Sequence, residues 1–229
     1  MLEELGEERE GLIGRSLDQL NEKYGEGWLE RRGEFIVERS DINEAIEDIE
    51  EQEIIIADIG SGKQHINEAM IKNSSKDIKI LGFDESDRAT KEVSESGKGN
   101  VESFYAIGEN LPIAGNEVNV VKFDFTFQEA NNEMTDKLFK EARRVLKDNG
   151  RITIIDELPQ EKFIDEQATE IKSKTRNRRS VKSNLHSEEE WRNIFEKNEL
   201  EVENFTIFGD DEENEKEQFI SFVLKKAEN

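Results

Sequence analysis

Three acids, Asp58, Asp84 and Asp124, stand where a chain can grip a ligand. Each lies at the end of a short apolar run. The first run is Glu53-Ile54-Ile55-Ile56-Ala57-Asp58, and it leads into Ile59-Gly60-Ser61-Gly62-Lys63-Gln64. Three successive β-branched residues bounded by turn formers predict a strand buried on both faces, as in a parallel sheet. Glycine admits positive φ and lets backbone approach a ligand closely. From His65 the spacing turns helical, with Ile66, Ala69 and Met70 on one side. A strand, a glycine turn and a helix together present helix N-terminal N–H groups to an anion or a nucleotide.

The details narrow the chemistry. A dinucleotide fingerprint needs a small residue where His65 stands, and a P-loop needs Gly at Ala57 and Ser or Thr at Gln64. Both fail. What remains is an acid at a strand end followed by Gly-x-Gly.

The surrounding elements follow from periodicity. Apolar runs predict strands at Asp77–Asp84, Val101–Ile107, Val118–Asp124 and Arg151–Asp156. Helical spacing predicts helices at Ile42–Glu51, Gln64–Lys72, Ser86–Ser94 and Glu129–Leu146 between them. Asp41 with Glu44 reads as a capping box, and Asn149 or Gly150 as a left-handed helix end. A helix from Ser187 and two strands, Leu200–Phe208 and Gln218–Leu224, close the chain around an acidic loop. Regular alternation implies a doubly wound, mostly parallel sheet. Residues 1–51 read as an N-terminal helical extension, a lid among its readings, and 52–229 as the main domain, the whole forming one compact unit.

Composition sets further bounds. The 229 residues carry a formal net charge of −23 and no cysteine, so disulfides, thiolate zinc sites and a cysteine nucleophile are excluded. With two histidines, His65 and His186, no multi-histidine metal site is expected. No apolar run reaches membrane-span length and no leader is visible, which predicts a soluble, cytoplasmic protein. The acidity repels nucleic acid as a whole.

Four segments, in order, resemble the class I S-adenosylmethionine-dependent methyltransferases. They are Asp58-Ile59-Gly60-Ser61-Gly62, Gly82-Phe83-Asp84-Glu85, Glu109-Asn110-Leu111-Pro112-Ile113 and Glu141-Ala142-Arg143-Arg144-Val145-Leu146-Lys147-Asp148-Asn149-Gly150. The likeness is nearest the small-molecule branch that includes quinone-precursor methyltransferases. It implies a seven-stranded Rossmann-like sheet with the last strand antiparallel, and S-adenosylmethionine as cofactor. It further implies a cofactor set of Asp58, Gly60, Ser61, Gly62, Asp84, Glu85, Ile107, Gly108, Glu109 and Asp124. Asp84 would grip the ribose hydroxyls, since a carboxylate can accept from two adjacent donors. The last segment is structural: it ends a helix and turns into a strand.

Three positions depart from the family pattern: Gln64 replaces a glycine, Ile107-Gly108 an Asp-Ala pair, and Val118-Asn119 a Phe-Asp pair. They motivate a second reading, a binding or scaffold module on the same fold. Asp124 is the candidate catalytic residue; it could hold the cofactor's ammonium, take a substrate proton, or merely cap a loop. Glu157 is a weaker candidate, and both histidines read as structural or loop residues. Segment 172–182 is basic in an acidic chain, and its Arg176, Arg178 and Arg179 are candidates for an anionic small substrate or, in a third reading, RNA.

Overall fold

The computed structural model describes residue 22 and residues 25–62, 65–85, 100–158, 185–209 and 218–227. Lys63, Gln64, the 86–94 helix, the basic segment 172–182 with Arg176, Arg178 and Arg179, and nearly all of residues 1–24 therefore lie outside the described residues.

The apolar runs become seven strands: β1 (Glu53–Ile59), β2 (Asp77–Asp84), β3 (Val101–Tyr105), β4 (Val118–Asp124), β5 (Leu146–Glu157), β6 (Leu200–Gly209) and β7 (Gln218–Lys226). They form one sheet in the order β3-β2-β1-β4-β5-β7-β6. Pairings from β3 through β5 are parallel, and β7 runs antiparallel to both of its neighbours. The expected arrangement is therefore present, with β7 inserted between β5 and the edge strand β6.

Helices cover both faces. On one lie α1 (Trp28–Arg39), α2 (Ile42–Glu47) and α3 (His65–Asn73). Ile36, Ile46, Ile66 and Met70 from these helices pack on Ile54, Ile56, Ile80 and Val120 of the sheet. On the other lie α4 (Asn132–Val145) and α5 (Glu188–Lys197), whose Leu138, Phe139, Trp191 and Phe195 pack on Val121, Phe123, Ile154 and Phe222. Strand residues two apart share a face, so alternate positions feed the two cores.

Several boundaries move, each for a physical reason. Phe35-Ile36-Val37 lies within α1. The helix at 42 ends at Glu47 with no side-chain cap, because Asp41 accepts from Thr206 Oγ1 on β6 at 2.7 Å instead. β3 stops at Tyr105, two residues before the expected Ile107. α4 starts late: Phe127–Glu129 is a 3-10 turn that buries Phe127, and Asn131 Oδ1 accepts from Met134 N at 2.9 Å as the true cap. No left-handed residue ends α4. Leu146 is already extended, and residues 146–150 belong to β5, with Leu146 opposite Val118. Gly150 serves close approach rather than a turn: a Cβ there would lie 2.7 Å from Asn119 O.

Candidate cofactor site

The strand order reverses between β1 and β4, since the chain leaves β1 toward β2 and later crosses to β4. In open α/β sheets ligands bind outside the carboxyl ends of the strands at such a switch point. Asp58 and Asp124 lie there. Asp58 is opposite Lys122 in the β1–β4 register.

The glycine turn is tightly tied. Gly60 N donates to Phe83 O at 2.8 Å and Gly62 N donates to Asp84 Oδ2 at 3.0 Å. Gly60 and Gly62 both have positive φ, +74° and +48°. A Cβ on Gly60 would lie 2.8 Å from Thr126 Oγ1, which itself donates to Ile59 O at 2.8 Å. Asp84 therefore spans from the end of β2 to the turn after β1. One of its oxygens orders the turn in addition to any contact with a ligand. Glu85, next to it, is exposed.

Beyond β3, the backbone of Gly108 is pressed against the end of β1. A Cβ there would lie 2.5 Å from Ile59 Cγ2 and 2.8 Å from Leu138 Cδ2. The glycine is thus a packing requirement, and Ala would not fit without movement. Ile107 is half exposed. The Glu109 carboxylate lies 3.6 Å from Lys137 Nζ on α4, so it is partly committed to an ion pair. Asn119, the third departure, is also structural: its Oδ1 accepts from Ile55 N at 3.0 Å, just before the β1–β4 ladder begins at Ile56.

Sequence reasoning missed the cation between Asp58 and Asp124. Lys122 is wholly buried in β4, with its ammonium 3.1 Å from Asp58 Oδ1 and in contact with Asp124 Oδ2. Asn67 of α3 donates to Asp58 Oδ2 at 2.5 Å. The signal was available, because Lys122 is the one charged residue inside the run Val118–Phe123. Burial pushes the Asp124 carboxyl up to about 6, against the pull of Lys122. Phe125 then takes a positive φ of +55°, turning the chain sharply just after β4. Such a conformation costs a non-glycine residue free energy and often marks a functional loop.

The other candidates sit elsewhere. Glu157 follows Asp156 at the end of β5. His186 is half-buried edge-on to Trp191, with ring centroids 4.9 Å apart, and burial lowers its pKa. The His65 side chain is outside the described residues. Among the described residues no cluster of acids and histidines is arranged to hold a metal, and no helix is long and apolar enough to cross a membrane.

This sheet order brings a glycine turn and acids together at the switch point. Residues 56–150 match the family model described as a methyltransferase domain. A structure of an S-adenosylmethionine-dependent methyltransferase from Aquifex aeolicus matches with a TM-score of 0.57 at 20% identity, over 82% of this chain and 92% of that one. One from Leishmania major matches with a TM-score of 0.67 at 13% identity, over 93% and 79%. A geranyl diphosphate methyltransferase in complex with S-adenosylmethionine matches with a TM-score of 0.62 at 12% identity, over 96% and 95%. No curated protein matches the sequence. Residues 56–150 thus resemble a methyltransferase domain, and the chain shares the fold of S-adenosylmethionine-dependent methyltransferases.

Proposed function

We propose that this protein is an S-adenosylmethionine-dependent methyltransferase acting on a small molecule, with residues 52–229 as the catalytic domain and 1–51 as its N-terminal extension. The observation that carries the reading is the conjunction at the switch point. Two positive-φ glycines, Asp84 tied to their turn, and a buried Asp124 oxygen without a hydrogen-bond partner among the described residues converge at the strand ends. A buried acceptor left unpaired is costly, and a ligand donor is the natural partner.

S-adenosylmethionine supplies an electrophilic methyl on a sulfonium. The protein's share is to bind and orient, because in-line displacement gains most from proximity and alignment. Gly60-Ser61-Gly62 leaves backbone room beside the strand end. Asp84 offers acceptors to ribose hydroxyls, and Ile107 and Gly108 provide an apolar wall for a base. Asp124 accepts from a cationic amino group, and Asp58, held by Lys122 and Asn67, fixes the geometry behind it. Arg176, Arg178 and Arg179 remain candidates for holding an anionic substrate.

Two of the departures that motivate a non-catalytic scaffold have structural roles, while Gln64 lies outside the described residues. Gly108 packs against Ile59 and Leu138, and Asn119 accepts from Ile55 N. Calorimetry with S-adenosylmethionine and its demethylated product tests the reading. Saturable binding of both is expected at micromolar concentration. No heat at high micromolar ligand would overturn it in favour of the scaffold.

A further inference from the structure

Lys122 has no role in the reading so far beyond holding Asp58 and Asp124, yet it is a buried cation at the centre of that group. Its side chain is 2% exposed. Burial alone would lower its pKa; Asp124 and Asp58 outweigh that, so it is held above the ordinary lysine value. The groups around it are few. Asp58 faces it from β1 and Asp124 from β4, while neutral Asn67 reaches in from α3 and neutral Thr153 lies opposite on β5.

The two carboxylates are not equivalent. Asp58 Oδ2 accepts from Asn67 at 2.5 Å, and its Oδ1, without a hydrogen-bond partner among the described residues, still faces the Lys122 ammonium at 3.1 Å as an ion pair. Asp124 commits one, Oδ2, to Lys122, and its Oδ1 is buried without a hydrogen-bond partner among the described residues. One cation between two ionised carboxylates leaves one negative charge uncompensated. That charge falls where an acceptor is free, at the crevice end of β4.

We propose that Lys122 is a positioning residue: it consumes Asp58 and one oxygen of Asp124, and thereby reserves the other Asp124 oxygen for the cationic amino group of the cofactor's methionine end. This rests on the methyltransferase reading above. It assigns ammonium recognition to Asp124 and gives Asp58 an internal role. Lys122 acts only through Asp124, so its removal should weaken only ligands that carry the amino group.

The test is calorimetry on the full chain with three ligands: S-adenosylmethionine, S-adenosylhomocysteine and 5′-methylthioadenosine, which lacks the amino-acid end. Lys122→Met should weaken the first two about tenfold or more, the scale of a hydrogen bond to a charged group, and leave the third within about twofold. Asp124→Asn should show the same selectivity. In the Asp124→Asn background, adding Lys122→Met should cost less than about twofold more, since both act through one oxygen. If Lys122→Met alone does not fold, Asp124→Asn against Lys122→Met/Asp124→Asn, which removes one charge of each sign, carries the comparison. Equal weakening of all three ligands, additive losses, or unchanged affinity in Lys122→Met would overturn the proposal. Wild-type protein that binds none of the three would instead defeat the methyltransferase reading itself.

Discussion

Gly60 and Gly62 look interchangeable in the sequence, and the structure separates them. Both are left-handed, but a Cβ on Gly60 would strike Thr126 at 2.8 Å, whereas on Gly62 the nearest atom is 3.8 Å away. Gly62→Ala should therefore lose only the left-handed penalty, ~1–2 kcal/mol. Gly60→Ala adds displacement of Thr126 and its bond to Ile59 O, so its loss should exceed that by about 1 kcal/mol or more. Urea unfolding of the two variants decides it; Gly62→Ala as the less stable would contradict the account. Asp156 makes a second prediction. It is fully buried, held by Glu157 N at 2.8 Å and Gln128 Nε2 at 3.4 Å, and burial pushes its carboxyl up to about 7. The unfolded chain releases this proton near pH ~4, whereas the folded chain keeps it until about 7, so the folded state binds more protons in between. Its contribution is thus fully present below pH ~4 and lost as pH rises through about 7, a few kcal/mol at most. Asp124 slopes the same way, with its raised value of about 6. Asp156→Asn should melt with a smaller drop than wild type between about pH 5 and about pH 8, because its share of the slope is gone. An unchanged drop would show that Asp156 does not hold the proton.

At the scale of elements, the segment matching the family pattern most specifically, Glu141 to Gly150, acts on the loop after β3. The Glu141 carboxylate accepts from Leu111 N at 2.6 Å and from Arg144 Nε and Nη2 at 2.7 and 2.6 Å, and Arg144 donates back to Leu111 O at 3.3 Å. Hydrogen bonding from Arg144 holds Glu141 below the usual carboxylate range. The pair clamps the loop carrying Ile107, Gly108 and Glu109 to α4. Glu141→Ala should cost ~1–3 kcal/mol by urea unfolding, since it strands a buried N–H, while Glu141→Gln should recover part through its amide oxygen. An alanine variant as stable as wild type would show that the clamp is idle. The seven strands were legible because both-face burial writes itself as apolar runs, and Asp58, Asp84 and Asp124 because they interrupt those runs at their ends. The start of α4 was not, because Phe127 satisfies helical spacing but is buried in a 3-10 turn. Residues 146–150 carry helix-stop chemistry, yet their pairing with Val118 is a tertiary event. Lys122 was visible as a lone charge, but its meaning needs a register between strands far apart in sequence, which no local pattern encodes.

At the scale of the whole molecule, 55 acids face 32 bases. Two kinds of electrostatics oppose each other when salt is added. Exposed ion pairs such as Lys197 with Asp136, or Arg192 with Glu188, weaken, and each contributes at most ~1 kcal/mol. Repulsion among the excess acids also weakens, and it acts over the whole surface. The Lys122 cluster is shielded by the protein and responds little. With a net charge of −23 the repulsive term is the larger, so salt should stabilise. The melting temperature should rise by several degrees between about 0.02 M and about 0.5 M potassium chloride, over which the screening length falls from about 20 Å to about 4 Å. Most of the rise should come below about 0.2 M, where that length drops fastest. Sucrose at matched osmolarity separates screening from solvent exclusion, because it leaves charge repulsion intact. A melting temperature that stays flat or falls across the salt series would mean that local pairing outweighs the global charge, and that the acidic residues are arranged to avoid one another despite their number.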